Sequence, residues 1–173
     1  MLKTGDVFLL PLNSNEAAIA QLVYYNMAKG APFNPLIQVV KGKYPINDFD
    51  LDKIDLTDKL FPPICTGIRA AVRTGLWKRI GHKSVDNFIY PKFVGTNYLF
   101  DGKARGWWVS DDNGSVYLGE YLPEQYKELE YQVVLSPHDV IDRIITGKIT
   151  FPFGELIENN FFIPCSLPRS YSK

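Results

Sequence analysis

The stretch Gly106–Glu120, GWWVSDDNGSVYLGE, carries the clearest signal for β structure in this sequence. Two runs rich in aromatic and β-branched residues flank DDNG, where Asn113 and Gly114 can supply the positive φ angles of a tight hairpin turn or bulged loop. Successive side chains of a strand point to opposite faces, so Trp107 and Trp108 cannot both enter one core. The stretch predicts a β-hairpin with one tryptophan outside the main core.

The composition of the whole chain also favours β structure. Its 173 residues include 11 Phe, 10 Tyr and 3 Trp beside 13 Gly and 12 Pro, which is typical of short strands joined by tight turns. With 46% apolar and 22% charged residues, the chain reads as one folded domain, residues 1–173. We expect an α+β fold, mainly β: a twisted antiparallel sheet or partly open small barrel with one C-terminal helix packed on it.

The N-terminal third predicts a hairpin followed by an acidic segment. Asp6–Leu12 and Ala18–Tyr25 have the character of strands and are separated by the turn-forming residues NSNE. Leu36–Val40 is a third candidate strand. The segment Asn47–Lys59 holds five Asp and two Lys, and its loosely spaced apolar residues predict a short helix or an ordered loop.

The C-terminal part predicts a strand that leads into a helix. Leu129–Leu135 is the candidate strand, and Ser136, Pro137 and Asp139 then form the start of a helix with a capping box. Gly147 can end this helix. Its apolar stripe consists of Val140, Ile141, Ile144 and Ile145.

The run Gly67–Lys83, GIRAAVRTGLWKRIGHK, holds five Lys and Arg residues and no carboxylate, although the chain has 19 basic and 19 acidic residues. Apolar and basic residues alternate over Ile68–Arg73, which predicts a strand. Thr74 and Gly75 then offer a turn or bulge before a second strand. The two halves are expected to form a hairpin or one bulged strand.

Three interpretations of this charge stay open at the level of sequence. A nucleic-acid-binding small barrel would need a surplus of positive charge, which a balanced chain with a sequence pI near 6.7 lacks. The cations can instead pair with the chain's own acidic segments, Asn47–Lys59 and Asp111–Glu130. They can also face an acidic protein partner, because Arg and Trp are favoured anchors at interfaces.

Signatures of catalysis and metal binding are missing from the sequence. GxSxG, GxGxxG and P-loop motifs are absent, and His82 and His138 are too few for a histidine-rich metal centre. The five Asp of Asn47–Lys59 do not follow the EF-hand pattern, so a solvated acidic face is the preferred interpretation. We expect no catalytic residues, no metal and no cofactor.

Cysteine usage and hydropathy favour a cytoplasmic protein without membrane contact. Cys65 and Cys165 stand alone, without a CxxC pair, and whether they pair with each other is left open. The N-terminus is a poor signal peptide. The longest early stretch without charge, Ala17–Ala28, is too short to span a bilayer and is interrupted by Gln21 and Asn26.

Seven short segments, in order and spacing over about Lys3–Lys148, resemble the immunity protein 26 family of bacterial polymorphic toxin systems. They are GDVFLLPL, FPPI, TGLWKRIG, YPKF, the WW of GWWVSD, LPEQYKELE and SPHDVIDRI. The resemblance implies a cytoplasmic protein that protects its producer by binding a cognate toxin domain, with residues 149–173 as a C-terminal extension. The same family name is attached to a small organophosphate hydrolase, which implies a rival function. A binuclear metal centre of the usual histidine-rich kind would need more ligands than two His supply.

We therefore expect a non-enzymatic inhibitor that offers a rigid sheet surface to a toxin. The aromatic residues would be desolvated anchors, and the cations would match acidic groups of the partner. Trp77 is expected in the core rather than at the interface, because large aromatic side chains are mostly well buried. The candidate contacts are Arg73, Trp77, Lys78, Arg79 and Trp108.

Overall fold

The computed structural model describes residues 1–26, 34–98 and 104–149, which form two compact units. The first unit consists of Met1–Pro91 and Gln132–Lys148, and the second is built on Lys92–Tyr131. Each unit has its own β-sheet, and neither sheet closes into a barrel over the described ranges. The fold is α+β and mainly β, as the sequence predicts.

The strands and helices of the described residues are numbered here in chain order. The strands are β1 (Asp6–Pro11), β2 (Glu16–Tyr24), β3 (Leu36–Val39), β4 (Tyr44–Pro45), β5 (Ile64–Thr66), β6 (Lys78–His82), β7 (Phe93–Tyr98), β8 (Ala104–Asp111), β9 (Gly114–Gly119), β10 (Glu130–Tyr131) and β11 (Val134–Leu135). The helices are α1 (Ile68–Arg73) and α2 (Pro137–Thr146), and short 3-10 helices lie at Leu51–Lys53 and Glu124–Tyr126.

The sheet of the first unit has the strand order β11-β5-β3-β2-β1-β6, and β4 also pairs with β2. Its pairings are antiparallel except that of β11 with β5. The predicted N-terminal hairpin is confirmed. In its NSNE turn, the side-chain oxygen of Asn13 accepts hydrogen bonds from the backbone N–H groups of Asn15 and Glu16, both at 2.9 Å.

Both faces of this sheet are covered, which explains why β1 and β2 are buried almost throughout. One face packs against the two helices through Ile68, Ala71 and Val140. The other face packs against the acidic segment, whose apolar side chains include Phe49, Leu51, Ile54 and Leu56. The segment Asn47–Lys59 is therefore an ordered cover for the sheet, with its acidic side chains facing solvent and the short helix Leu51–Lys53 within it.

Helix α2 begins and ends as predicted. The side chain of Ser136 accepts a hydrogen bond from the N–H of Asp139, and the carboxylate of Asp139 accepts one from the N–H of Ser136, both at 3.1 Å. Gly147 ends the helix with a φ of 71°, in the left-handed region that favours glycine. The guanidinium of Arg143 is 4.2 Å from the centre of the Phe61 ring, a cation–π contact.

The prediction of a strand over Ile68–Arg73 is wrong, because this segment is helix α1. Ile68, Ala71 and the partly buried Val72 follow the spacing of one helical face and enter the core. The alternation of apolar and basic residues also fits a strand, but two alanines and two arginines favour a helix intrinsically. After the turn at Thr74 and Gly75, the second half is strand β6 as predicted, and it pairs with β1.

The second unit has the sheet order β10-β7-β8-β9 and contains the predicted hairpin, β8–β9. Of the two turn residues, Gly114 has a positive φ of 141°, whereas Asn113 does not. The N–H of Asn113 instead donates to the carboxylate of Asp111 at 2.8 Å. Trp107 is buried and Trp108 is half-buried, which confirms that one tryptophan lies outside the core.

The predicted strand Leu129–Leu135 is two strands that belong to different sheets. Glu130–Tyr131 pairs in parallel with β7 of the second unit. Val134–Leu135 pairs in parallel with β5 of the first unit. The apolar pattern marks extended chain correctly, but it carries no information about the sheet in which each half finds its partner.

We predict that Ser136→Ala destabilises the first unit by about 1 kcal/mol, because the N–H of Asp139 loses its capping partner. The measurement is the midpoint of urea unfolding at an unchanged slope. Ser14→Ala, in the exposed hairpin turn, is the control and should leave the midpoint unchanged. An equal midpoint for both variants would show that the cap contributes nothing.

Candidate functional site

Two residues of the basic run contact a fully buried carboxylate at the start of β1. The side chain of Asp6 is 0% exposed, and its Oδ1 lies 2.7 Å from Nη2 of Arg79 and 3.2 Å from Nδ1 of His82. Its Oδ2 accepts a hydrogen bond from the N–H of Lys3 at 3.0 Å. The register of β1 against β6 places Asp6 opposite His82, so both partners come from the neighbouring strand. Two groups of the basic run thus satisfy an internal charge.

Lys83 connects β6 to the acidic cover. Its Nζ donates to the backbone oxygen of Leu51 at 2.7 Å and lies 3.4 Å from Oδ1 of Asp52. The predicted pairing of the run with Asn47–Lys59 therefore occurs at this residue. The Asp52 carboxylate is largely exposed, so its ion pair with Lys83 adds little to stability.

The remaining cations of the run lie at the surface. Arg69 donates a hydrogen bond to the hydroxyl of Tyr25, and its guanidinium is 5.8 Å from the centre of that ring. Arg73 and Lys78 are exposed, and neither forms an ion pair with any residue that the structure describes. These two charges are left for solvent or for a partner.

Three arginines of the run border one open groove of about 500 Å³. Arg69 and Arg73 lie four positions apart on one face of α1, and Arg79 reaches the groove from β6. The apolar contribution comes from Leu2 and Val72. We call this site the arginine groove; it consists of Met1, Leu2, Arg69, Val72, Arg73 and Arg79.

The predicted contact residues lie in three different places: the surface of the first unit, its core and the second unit. Arg73 and Arg79 line the arginine groove, and Lys78 is exposed beside Arg79 in β6. Trp77 is 1% exposed and belongs to the core of the first unit, as its aromatic character predicts. The prediction that Trp77 contacts a partner is wrong, because its indole is buried in the core. Trp108 lies in the second unit, half-buried, with its ring 5.1 Å from that of Tyr117.

Sequence reasoning missed the part of the site that comes from the N-terminus. In the sequence, Asp6 is marked only as the first residue of a strand, and no pattern singles out Met1 or Leu2. A signal was present, because a lone carboxylate in the apolar run GDVFLLPL can be buried only with a cationic partner. The cations of the basic run are candidates for such a partner.

Cys65, the cysteine among the described residues, does not have the properties of an activated nucleophile. Burial raises the pKa of the Cys65 thiol to about 11, outweighing the opposite effect of a hydrogen bond from the backbone of Asn34. A reactive cysteine needs a lowered pKa. Across residues 1–26, 34–98 and 104–149, no three His, Cys, Asp or Glu side chains are grouped so that they could hold a metal ion. In the same ranges, no helix combines the length and the apolar character needed to cross a bilayer.

We predict that Asp6→Asn destabilises the first unit by about 2 kcal/mol, because Arg79 and His82 lose a charged acceptor. A double-mutant cycle with Arg79→Gln should give a coupling free energy of about 1 kcal/mol, measured by urea unfolding. Lys78→Gln is the matched control and should change stability by less than about 0.5 kcal/mol. Additive effects of the Asp6 and Arg79 substitutions would argue against this pair as an organising contact.

We predict that Cys65 in a Cys165→Ser variant reacts with iodoacetamide at pH 8 about a hundredfold more slowly in the native than in the unfolded chain. The reason is its raised pKa, and mass spectrometry measures the rate. Because the native thiol keeps its proton to higher pH, native stability should fall as the pH rises from 9.0 toward about 11. Equal labelling rates in the two states would contradict this assignment.

Comparisons of the chain with protein family models, curated protein sequences and solved structures give no match. The function is therefore inferred from the contacts of the molecule itself, and the arginine groove is the feature that stands out in the first unit.

Proposed function

We propose that this chain is an immunity protein that binds and neutralises a cognate bacterial toxin through the arginine groove, with Lys78 of β6 as a further contact. One observation carries the proposal: three arginines line an open groove with an apolar contribution from Leu2 and Val72. A protein surface with carboxylates beside apolar side chains would complement this arrangement in both charge and hydrophobicity.

The surface cations of the basic run favour an acidic partner. Arg73 and Lys78 have no counterion among the described residues, so an acidic partner would supply interactions that the chain itself does not satisfy. The planar guanidinium of Arg73 can donate two parallel hydrogen bonds to the two oxygens of a carboxylate. Arginine is also enriched at interface hot spots, where its long side chain packs against apolar surface.

The groove is held in one shape by buried groups beneath it. Ile68 and Trp77 anchor α1 and the turn that follows, each at most 1% exposed. The ion pair of Arg79 with Asp6 fixes β6 at the other side. A surface formed before binding avoids part of the entropy cost of ordering side chains, so more of the contact energy appears as affinity.

Trp108 remains a predicted contact on the second unit. Its half-buried ring beside Tyr117 offers an aromatic surface of the kind that interfaces favour. The cationic contacts of the first unit and this aromatic one can be tested separately by substitution.

The proposed function is tested by co-expression with the products of adjacent toxin-like genes. We expect a stable complex and restored growth for the cognate toxin, and Arg73→Glu should weaken binding about 100-fold, because it places like charges together. Titration calorimetry measures the affinity. Lys92→Glu, an exposed position in the second unit, makes the same change in net charge and should alter the affinity less than about threefold.

Three outcomes would contradict the proposal. The first is that no neighbouring gene product forms a complex, and the second is that Arg73→Glu and Lys92→Glu behave alike. The third is metal-dependent turnover of a chromogenic phosphotriester by the purified chain, lost on chelation, which would favour the hydrolase.

A further inference from the structure

A second cavity of the first unit, of about 440 Å³, shares no residue with the arginine groove. Gln21, Val23 and Gln38 contribute to it from strands β2 and β3. Its sides come from the segments 56–63 and 84–91. Gln21 and Val23 continue the alternation of Ala17 and Ile19, so they lie on the sheet face that the acidic segment covers farther along. We call this site the glutamine cavity.

The floor of the glutamine cavity is a cross-strand pair of glutamines. Gln21 and Gln38 are directly opposite each other in the antiparallel pairing of β2 with β3, so their side chains share one face. Gln21 is only 4% exposed, although a buried amide is costly unless its hydrogen bonds are made. Their neighbours along β2 and β3, from Ala17 to Val23 and from Leu36 to Val39, are apolar, so the two amides are a local polar feature of this face.

Each glutamine uses its amide nitrogen to hold a different side of the cavity. Nε2 of Gln21 donates to the backbone oxygen of Lys83 at 2.9 Å, and Nε2 of Gln38 donates to that of Leu56 at 2.6 Å. Both partners are carbonyl oxygens, which only accept, so the orientation of each amide is fixed by its contact. The side-chain oxygens of the pair receive no hydrogen bond from the described residues. The floor therefore offers acceptors, and a ligand must supply donors.

The sides of the cavity define the remaining chemistry of the ligand. One cation, Lys59, and one anion, Asp86, line the cavity, so it has no net charge with which to select an ion. Thr57, Ser84 and Asn87 add polar groups, while Val23, Val85, Phe88 and three prolines add apolar surface. The ring of Phe88 stacks on that of Tyr24, with ring centroids 6.0 Å apart. The backbone of Asn87 has a φ of 55°, in the left-handed region.

We propose that the glutamine cavity binds a small neutral polyhydroxyl ligand of the sugar class. Adjacent hydroxyl groups would donate to the two glutamine oxygens and accept from groups such as the Asn87 amide. The C–H face of the ring would lie against the apolar side chains of Val23 and Phe88. A volume of about 440 Å³ is within the range of small-molecule sites. An ion would find no net attraction, and an apolar ligand would leave the amide oxygens desolvated without partners.

The test is a ¹⁵N–¹H NMR titration of the full chain with glucose, maltose and N-acetylglucosamine. We expect shift changes at residues of the glutamine cavity, with affinity of about millimolar order for one of these sugars. Gln38→Leu removes one acceptor and should weaken binding about tenfold. Gln125→Leu, an exposed glutamine of the second unit, is the matched control and should bind as the parent chain does.

Gln38→Leu also removes the bond to Leu56, so a second variant separates binding from folding. Asn87→Gly keeps a positive φ accessible and removes one polar group of the cavity, and it should weaken binding about threefold or more while leaving the spectrum dispersed. Arg73→Glu, which tests the arginine groove, should leave sugar binding unchanged. The inference is overturned if no sugar shifts cavity residues at about 50 mM, or if Asn87→Gly binds as the parent chain does. Tighter binding of acetate or lysine at this site would overturn it equally.

Discussion

The buried carboxylate of Asp6 is the constraint on which the edge of the first sheet depends. A charge removed from water at the start of β1 is costly unless partners reach it, and β6 supplies the cation of Arg79 and the ring nitrogen of His82. This requirement holds β6 beside β1 and with it the turn that joins α1 to the sheet. The contact therefore links the N-terminus, the edge strand and the basic helix in one arrangement.

The basic run consequently has two roles that its residue types alone do not separate. Arg79, His82 and Lys83 face inward or along the sheet and bind groups of the same chain. Arg73 and Lys78 point to solvent and have no ion pair among the described residues. Arg79 therefore both pairs with Asp6 inside the chain and lines the groove proposed for partner binding. A chain of balanced net charge thus presents a groove lined by three arginines, of which Arg79 is paired with Asp6.

The two faces of the first sheet differ in how they are covered. Helices α1 and α2 close one face with apolar side chains. The other face is closed over part of its length by the acidic segment Asn47–Lys59, whose apolar residues insert while its carboxylates stay in water. At the last residues of that cover, Leu56, Thr57 and Lys59, the same face carries Gln21 and Gln38, and together these side chains line the glutamine cavity.

The sequence by itself determined the elements whose signals are local. The β1–β2 and β8–β9 hairpins carry their turn residues between their strands, and α2 carries its own capping box and terminal glycine. The composition predicts a mainly β fold, and the size of Trp77 favours its burial. The hairpins and α2 depend on contacts a few residues apart, whereas aromatic size alone does not decide burial, since Trp108 is half-buried.

Only the tertiary structure decided the rest, since those features depend on contacts distant in sequence. Helix α1 is short and its alternation of apolar and basic residues also fits a strand, so packing of Ile68 and Ala71 against the core adds to the helix propensity and selects the helix. The split of Leu129–Leu135 between two sheets was set by its partners, β7 and β5. The arginine groove and the glutamine cavity likewise arise where separate segments meet, and no local pattern encodes such a meeting.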